Sequence, residues 1–290
     1  MQNMRRLICS LLLFAFIAHG GTLTITTWNL EWFPGGPRDK REPVSEAKAI
    51  QDVAELMRRL DSDVFVIQEI RDIEACEQLV AALKPKSYSV AVCSKFREAF
   101  GGTIGVQQIA IISRLPCSKA WFENWKTTGY ADPPRGFSFA EIQVGSKRVG
   151  VYGLHLKSNL SRTNGERDRQ LNILKRELAA EQVIAHVEVM KVSTNSIDTF
   201  IIAGDFNTTL DQPEFASEET LTKFRENGFT SGTENTPLSE RVTIPGKGRY
   251  PDATFDYIFA KGFINSDVLP TITRSSLSDH YPATRIFRLP

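Results

Sequence analysis

Five segments of this chain deliver side chains that can handle protons, phosphate or a hard cation, each at the end of a strand-length apolar run or just before one. Leu23-Thr24-Ile25-Thr26-Thr27-Trp28 runs into Asn29, Val64-Phe65-Val66-Ile67-Gln68 into Glu69, and Gly150-Val151-Tyr152-Gly153-Leu154 into His155. Ile201-Ile202-Ala203-Gly204 runs into Asp205-Phe206-Asn207, and Ser278-Asp279-His280 precedes the last strand. Singly, each has an ordinary explanation, because a strand leaving a core must finish on something polar. Jointly they supply what hydrolysis of a phosphodiester requires: oxygen ligands for a hard cation, a group that activates water, and donors for the developing negative charge.

Asp256 adds a second kind of signal. It lies between Phe255 and Tyr257-Ile258-Phe259, where an unpartnered carboxylate is expensive. The cheapest partner is an imidazole, whose tautomer and basicity a carboxylate fixes. If that imidazole is His280, the pair is a water-activating unit; a turn cap or an arginine partner is the alternative.

These groups need elements to carry them. Strand-length runs recur at 23–28, 64–68, 89–93, 108–113, 137–144, 148–154, 200–203, 254–259 and 284–289, with Gly145-Ser146 as a hairpin turn. Helical spacing appears in Ala47, Ile50, Val53, Ala54, Met57 and Leu60, and again in Leu171, Leu174, Leu178, Val183 and Ile184. The run 64–67 is apolar on both faces whereas 137–144 alternates, so two packed sheets covered outside by helices are expected. No linker, low-complexity tract or repeat interrupts the chain.

The 290 residues are 41% hydrophobic, 24% charged and 10% aromatic, which excludes collagen-like, low-complexity and disordered readings. A net charge of +1 predicts no polyanion partner in bulk, so any nucleic acid must be held locally. Arg5 and Arg6 precede an apolar run over 7–18, and Ala18-His19-Gly20 offers small residues for cleavage, the pattern of a secretory signal peptide over 1–20. That run is too short to span a bilayer. Cleavage removes both arginines and leaves 33 basic against 34 acidic residues in a secreted or periplasmic chain, with 21–290 as one catalytic domain.

Export places Cys76, Cys93 and Cys117 in an oxidising compartment. A helix over 72–83 followed by a returning strand over 88–93 brings Cys76 beside Cys93, while Cys117 ends the next antiparallel strand at the opposite edge. A Cys76–Cys93 disulfide, worth about 3 kcal/mol for a loop of this size, is therefore expected, with Cys117 free. No paired Cys-x-x-Cys or His-x-x-x-His spacing points to zinc.

Taken in order, Thr27-Trp28-Asn29-Leu30-Glu31, Gln68-Glu69, Gly153-Leu154-His155, Gly204-Asp205-Phe206-Asn207, Phe255-Asp256-Tyr257-Ile258 and Ser278-Asp279-His280 resemble the signature of the endonuclease/exonuclease/phosphatase family. That family includes pancreatic-type deoxyribonucleases, abasic-site endonucleases, neutral sphingomyelinases and inositol-polyphosphate phosphatases. The resemblance spans Asn29 to His280. It implies an α/β fold, a four-layer α/β/β/α sandwich of two mixed sheets packed face to face, with the site at one end of the sheets. It further implies that Asn29 and Glu69 place a divalent cation, Mg2+ or else Mn2+, with Asp279 as a further ligand. Asp256 and His280 would activate water, Asp205 and Asn207 orient the nucleophile and phosphate, and His155 neutralise the phosphorane or protonate the leaving oxygen. Which group is the base differs between versions of this mechanism.

Arg135 resembles the phosphate-contacting arginine of deoxyribonuclease-like members, although Pro133-Pro134 precede it and no proline follows. Arg114, in Ile112-Ser113-Arg114-Leu115-Pro116, also matches a family pattern; an ordinary surface arginine is the alternative for both. His155-Leu156-Lys157-Ser158-Asn159 is similar to the run in secreted bacterial nucleases, which implies a phosphate contact for Lys157. Arg162, Arg167, Arg169, Lys175 and Arg176 follow it, either tracking a nucleic-acid backbone or forming the solvated face of a helix. The resemblance thus implies a secreted, monomeric, metal-dependent endonuclease acting on DNA or RNA. A sphingomyelinase-type phospholipase C or an inositol or sugar phosphatase is the alternative. Trp121-Phe122-Glu123-Asn124-Trp125 would serve the phospholipase as a headgroup anchor if exposed, or else packs in the core. An inactive binding module would lack a site residue, and none is missing.

Overall fold

In β2 (Val64–Ile70), Val64 and Val66 are buried against a second sheet while Phe65 and Ile67 are buried against helices, so a strand apolar on both faces is covered on both. It lies in a six-stranded sheet with β1 (Thr22–Phe33), β3 (Ser89–Cys93), β4 (Gln108–Ser113), β10 (Thr271–Ile272) and β11 (Ala283–Arg288), ordered β10-β11-β1-β2-β4-β3. The facing sheet holds β5 (Cys117–Asn124), β6 (Gly136–Val144), β7 (Lys147–His155), β8 (Thr199–Asp205) and β9 (Asp256–Lys261) in sequence order. Both sheets are mixed: β1 with β2 and β7 with β8 are parallel, and their other pairs are antiparallel. The computed structural model describes residues 21–36, 43–98, 102–159, 165–194, 197–233, 235–248, 250–264 and 268–290. The expected signal segment 1–20 and Arg162 lie outside the described residues.

Three apolar clusters make four layers. Leu23, Ile25, Val66, Ile111, Ile142, Val151, Ile201 and Ile258 interdigitate between the sheets. α1 (Pro43–Leu60) and α2 (Ile73–Ala82) cover the first sheet through residues such as Val53, Met57 and Leu79. α3 (Glu166–Thr194) and α4 (Thr220–Glu226) cover the second through Val183, Val187 and Phe224. A final short helix, α5 (Leu238–Arg241), precedes β9. Each buried Val, Ile or Phe contributes about 1.5–3 kcal/mol, and this packing holds the strand ends in fixed relation. The result is the expected α/β/β/α sandwich.

Two strands escape the sequence pattern. β5 is an edge strand bearing Lys119 and Glu123 on exposed positions, and β10 has only two residues. Cys117 therefore opens β5 in the second sheet and does not end a strand of the first. Trp121 packs on Phe139 with ring centroids 4.4 Å apart, Phe122 on Phe96 at 5.5 Å, and Trp125 is buried on Phe137 at 5.5 Å. Those rings belong to packing, so they offer no headgroup anchor. Cys76, Cys93 and Cys117 are free thiols, and a hydrogen bond to Cys93 together with burial pushes the Cys76 thiol far up.

Candidate active site

Register sets the first three groups in a row. His155 at the end of β7 pairs with Asp205 at the end of β8, which pairs with Asp256 at the start of β9. The facing sheet brings Asn29 from β1 and Glu69 from β2, with register shifts between Asn29 and Phe33 and between Gln68 and Ile70. Bulges of this kind re-aim side chains at strand ends. Of the six non-glycine residues with positive φ among the described residues, five belong to site-bearing segments: Glu31 (46°), Trp32 (58°), Glu69 (60°), Arg135 (68°) and Asn207 (52°). Each such conformation costs about 1–3 kcal/mol and persists only where its surroundings enforce it.

Asn29 ties the two sheets together. Its Nδ2 donates to Asp205 Oδ2 (3.0 Å) and Glu69 Oε1 (3.4 Å), while its Oδ1 accepts from Glu31 N (3.0 Å). Glu69 Oε2 accepts from Trp32 N (3.1 Å). Asp205 Oδ1 accepts from Asn207 N (2.8 Å), and Asn207 Nδ2 donates to Leu156 O (3.2 Å). His280 is fastened to β1: Trp28 Nε1 donates to His280 O (3.0 Å), Ser278 Oγ donates to Asn29 O (2.7 Å), and His280 N donates to Ser278 Oγ (3.1 Å). Its ring Nδ1 lies 2.8 Å from Asp256 Oδ2, and its Nε2 lies 3.8 Å from Asp205 Oδ2. The buried acid and the imidazole are therefore partners.

Burial alone would lower the His280 imidazole, but the carboxylates of Asp256 and Asp205 outweigh it and push it up to about 10. Burial, reinforced by Asp256, pushes Asp205 up to about 7 against the pull of His280 and the hydrogen bonds from Asn29 and Asn207. His155 is held well below its ordinary value by burial and then by the charges of Arg135, His280 and Lys157, so it is neutral at pH 7. Its Nε2 is 3.7 Å from Asp205 Oδ2 and 3.8 Å from Glu69 Oε1. One fully buried imidazole is thus a cation and the other is not.

A basic flank adjoins His155. Arg135 spends Nε and Nη2 on His155 O (3.1 and 3.0 Å) and Nη2 also on Leu156 O (3.0 Å). Arg176 Nη1 donates to Lys157 O (2.8 Å), and its remaining nitrogens grip buried Glu218 at 2.8 and 2.5 Å. Carbonyls 155, 156 and 157 are thus all capped by guanidinium groups, which fixes the chain as it leaves β7. Burial lowers the Lys157 ammonium to about 8, helped by the charges of Arg135, Lys175 and Arg176.

The opposite flank is acidic. Asp279 N donates to Glu31 Oε2 (3.3 Å), and burial together with the charges of Asp279 and Glu69 raises the Glu31 carboxyl. Among the described residues no lysine or arginine ion pair reaches Glu31, Glu69 or Asp279. Carboxylates gathered without a lysine or arginine in ion-pair contact, beside the Asn29 amide, are a hard-oxygen donor set that fits Mg2+ or Mn2+. Asp205, Asp256 and His280 also place one donor atom each within 4.8 Å of one another. There Asp256 and His280 are already engaged with each other through Oδ2 and Nδ1, and His280 carries positive charge, so the oxygen-rich side is the better fit.

Of the sequence candidates, Asn29, Glu69, His155, Asp205, Asn207, Asp256 and His280 converge, Asp279 sits 60% exposed at the rim, and Arg135 and Lys157 lie alongside. Arg114 does not belong. It follows β4, whose Ser113 pairs with Val64 at the start of β2, so it lies at the far end of the sheet from Glu69 and pairs there with Asp61 and Asp63. Glu31 and Ser278 are missing from the candidates. Glu31 stands two residues after Asn29, the strand period that places side chains on one face, and Ser278 opens the motif that ends in His280.

The sequence profile of the endonuclease/exonuclease/phosphatase family matches residues 26–280. Phospholipase C from Staphylococcus aureus is 25% identical over 214 residues, 69% of this chain and 62% of its own length. The chain thus spans less than two thirds of that curated relative. The solved endonuclease/exonuclease/phosphatase from Beutenbergia cavernae DSM 12333 superposes with a TM-score of 0.66 at 19% identity, covering 93% of this chain and 72% of that one. Beta toxin 275-280 from Staphylococcus aureus gives 0.62 at 18% identity, covering 90% and 98%. TDP2 from Caenorhabditis elegans gives 0.62 at 14% identity, covering 92% and 75%. These structural likenesses establish the shared fold.

Proposed function

The chain belongs to the endonuclease/exonuclease/phosphatase family of phosphoester hydrolases, and from that premise we propose that it is an exported, divalent-metal-dependent phosphodiesterase acting on nucleic acid. The observation that carries this reading is the row His155–Asp205–Asp256, closed by His280 and flanked by carboxylates on one side and cations on the other. Export rests on the residue pattern of 1–20, and in an oxidising compartment the Cys76 and Cys93 thiols, free in this structure but in hydrogen-bond contact, would oxidise to a disulfide; residues 21–290 then form the catalytic domain.

Glu69, Asn29, Glu31 and Asp279 would hold the cation, which supplies Lewis-acid charge on a phosphoryl oxygen. Asp256 accepts from His280 Nδ1, which fixes the ring and turns Nε2 towards Asp205. Water beside Asp205 Oδ2 surrenders its proton to that carboxylate, which is poised near neutrality, where acid–base exchange is most efficient, while the charged His280 ring holds Asp205 through Nε2. Asn207, braced on Leu156 O and Asp205, keeps the Asp205 carboxylate in place. Neutral His155 donates to the phosphorane or leaving oxygen. Lys157, with Arg135 and Lys175 near it, attracts phosphate locally, as a chain of small net charge requires.

A phospholipid substrate is the second reading, favoured by the similarity to the Staphylococcus aureus phospholipase C. Incubating residues 21–290 with supercoiled plasmid, single-stranded DNA, RNA and sphingomyelin vesicles in Mg2+ decides between them. Cleavage of nucleic acid at rates well above those on vesicles is expected; vesicle hydrolysis alone would replace the first reading with the second.

A further inference from the structure

Tyr130 and Tyr250 are the only aromatic side chains among the described residues that are mostly exposed, at 78% and 55%. All other described rings are buried or half-buried. Both tyrosines lie at the end of the molecule that carries the site. Tyr130 stands in the loop from β5 to β6, whose strand ends Asn124 and Gly136 pair beside Phe137 and Leu154, one residue from His155. Tyr250 stands in the hairpin that leads into Asp256, and Lys247 of the same hairpin acts on the Glu31 carboxylate.

Topology separates them across the reacting centre. The second sheet runs β5-β6-β7-β8-β9, so the two loops rise from its opposite edges, with His155 and Asp205 on the strands between. At about 4.8 Å per strand, the edges are roughly 14–19 Å apart, a span of a few nucleotides of extended strand.

Hydrogen bonds brace the described residues of both turns. Thr128 N and Gly129 N donate to Asp132 Oδ1 at 2.5 and 3.0 Å, so the tip that carries Tyr130 is tied to its own base. Across the hairpin Lys247 N donates to Tyr250 O (2.9 Å) and Tyr250 N to Lys247 O (3.1 Å), with Gly246 N on Asp252 Oδ1 (2.6 Å). A large ring held outward on a braced turn adds little to the core. It does present exposed aromatic surface at low entropic cost, with Lys247 in the same hairpin as Tyr250.

We propose that Tyr130 and Tyr250 are stacking platforms for bases on either side of the cleaved bond, and that the preferred substrate is single-stranded nucleic acid. This rests on the nucleic-acid reading above. Bases within a duplex keep their faces stacked on one another, whereas those of a single strand are free to lie on aromatic rings while lysines follow the backbone.

The test compares a single-stranded oligonucleotide, its duplex and bis(p-nitrophenyl) phosphate as substrates for wild type, Y130A, Y250A and the two Phe variants, with vesicle binding measured in parallel. Wild type should prefer the single strand. Each Ala variant should raise the single-strand KM by about tenfold, a typical loss for one base–aromatic stack, and lower oligonucleotide selectivity over the small diester. Phe should restore both, since it keeps the ring. Unchanged KM in both Ala variants, or a wild-type preference for duplex, overturns the proposal. Lost vesicle binding with unchanged oligonucleotide KM overturns it in favour of a lipid-docking role. A wild type that hydrolyses the small diester but neither oligonucleotide overturns the nucleic-acid reading itself, and the platforms with it.

Discussion

At His280, charge is set by two carboxylates that the sequence keeps far apart, Asp205 and Asp256. If the ring acts through Asp256, D256N and H280A should each lower turnover by on the order of a hundredfold, the scale of a lost acid–base group. The double variant should be little worse than either single, because groups acting as a unit are non-additive; multiplicative losses in folded protein would show independent action. The same ring makes a linkage prediction for the metal-free protein. Its folded value is raised from 6.5 to about 10, so the folded state binds the extra proton. The stabilisation is full below about pH 6.5 and is lost as pH rises towards 10. Thermal melts of wild type against H280N across that range should converge; a constant gap would contradict the pairing. That Asp256 needs a partner was readable from the rings flanking it. That Arg114 has its own partners was not, because Asp61 and Asp63 meet it only through the pairing of β4 with β2.

Among the elements, the junction of β7 and β8 leaves no room for a side chain at Gly204. Gly204 has φ 153°, and a Cβ there would lie 2.0 Å from Leu154 O, between the residues that lead into His155 and Asp205. Gly204→Ala should therefore destabilise the fold by about 1–3 kcal/mol, as overpacking does. Because it shifts the row of reacting groups, it should also cost more activity than a surface variant of equal stability. Chemical denaturation alongside turnover checks this, and wild-type values of both would refute it. Strands with apolar runs were legible because burial dictates their composition. β5 was not: as an edge it carries Lys119 and Glu123, the charges that discourage edge-to-edge pairing and also break an apolar pattern.

Across the whole molecule, one end of a four-layer sandwich gathers Asn29, Glu69, His155, Asp205, Asp256 and His280 from both sheets. The layering was legible in strands apolar on both faces and in two amphipathic helices. The positive φ at Glu31, Trp32 and Glu69, which carries the acidic flank, was not, since local sequence gives no sign of a strain enforced by distant contacts. The central claim is that this flank uses a divalent cation to hydrolyse a phosphodiester. Turnover of bis(p-nitrophenyl) phosphate should vanish in chelator and return with Mg2+ or Mn2+, and Glu69→Gln should raise the metal concentration needed by on the order of tenfold or more. Undiminished turnover in chelator would contradict the account.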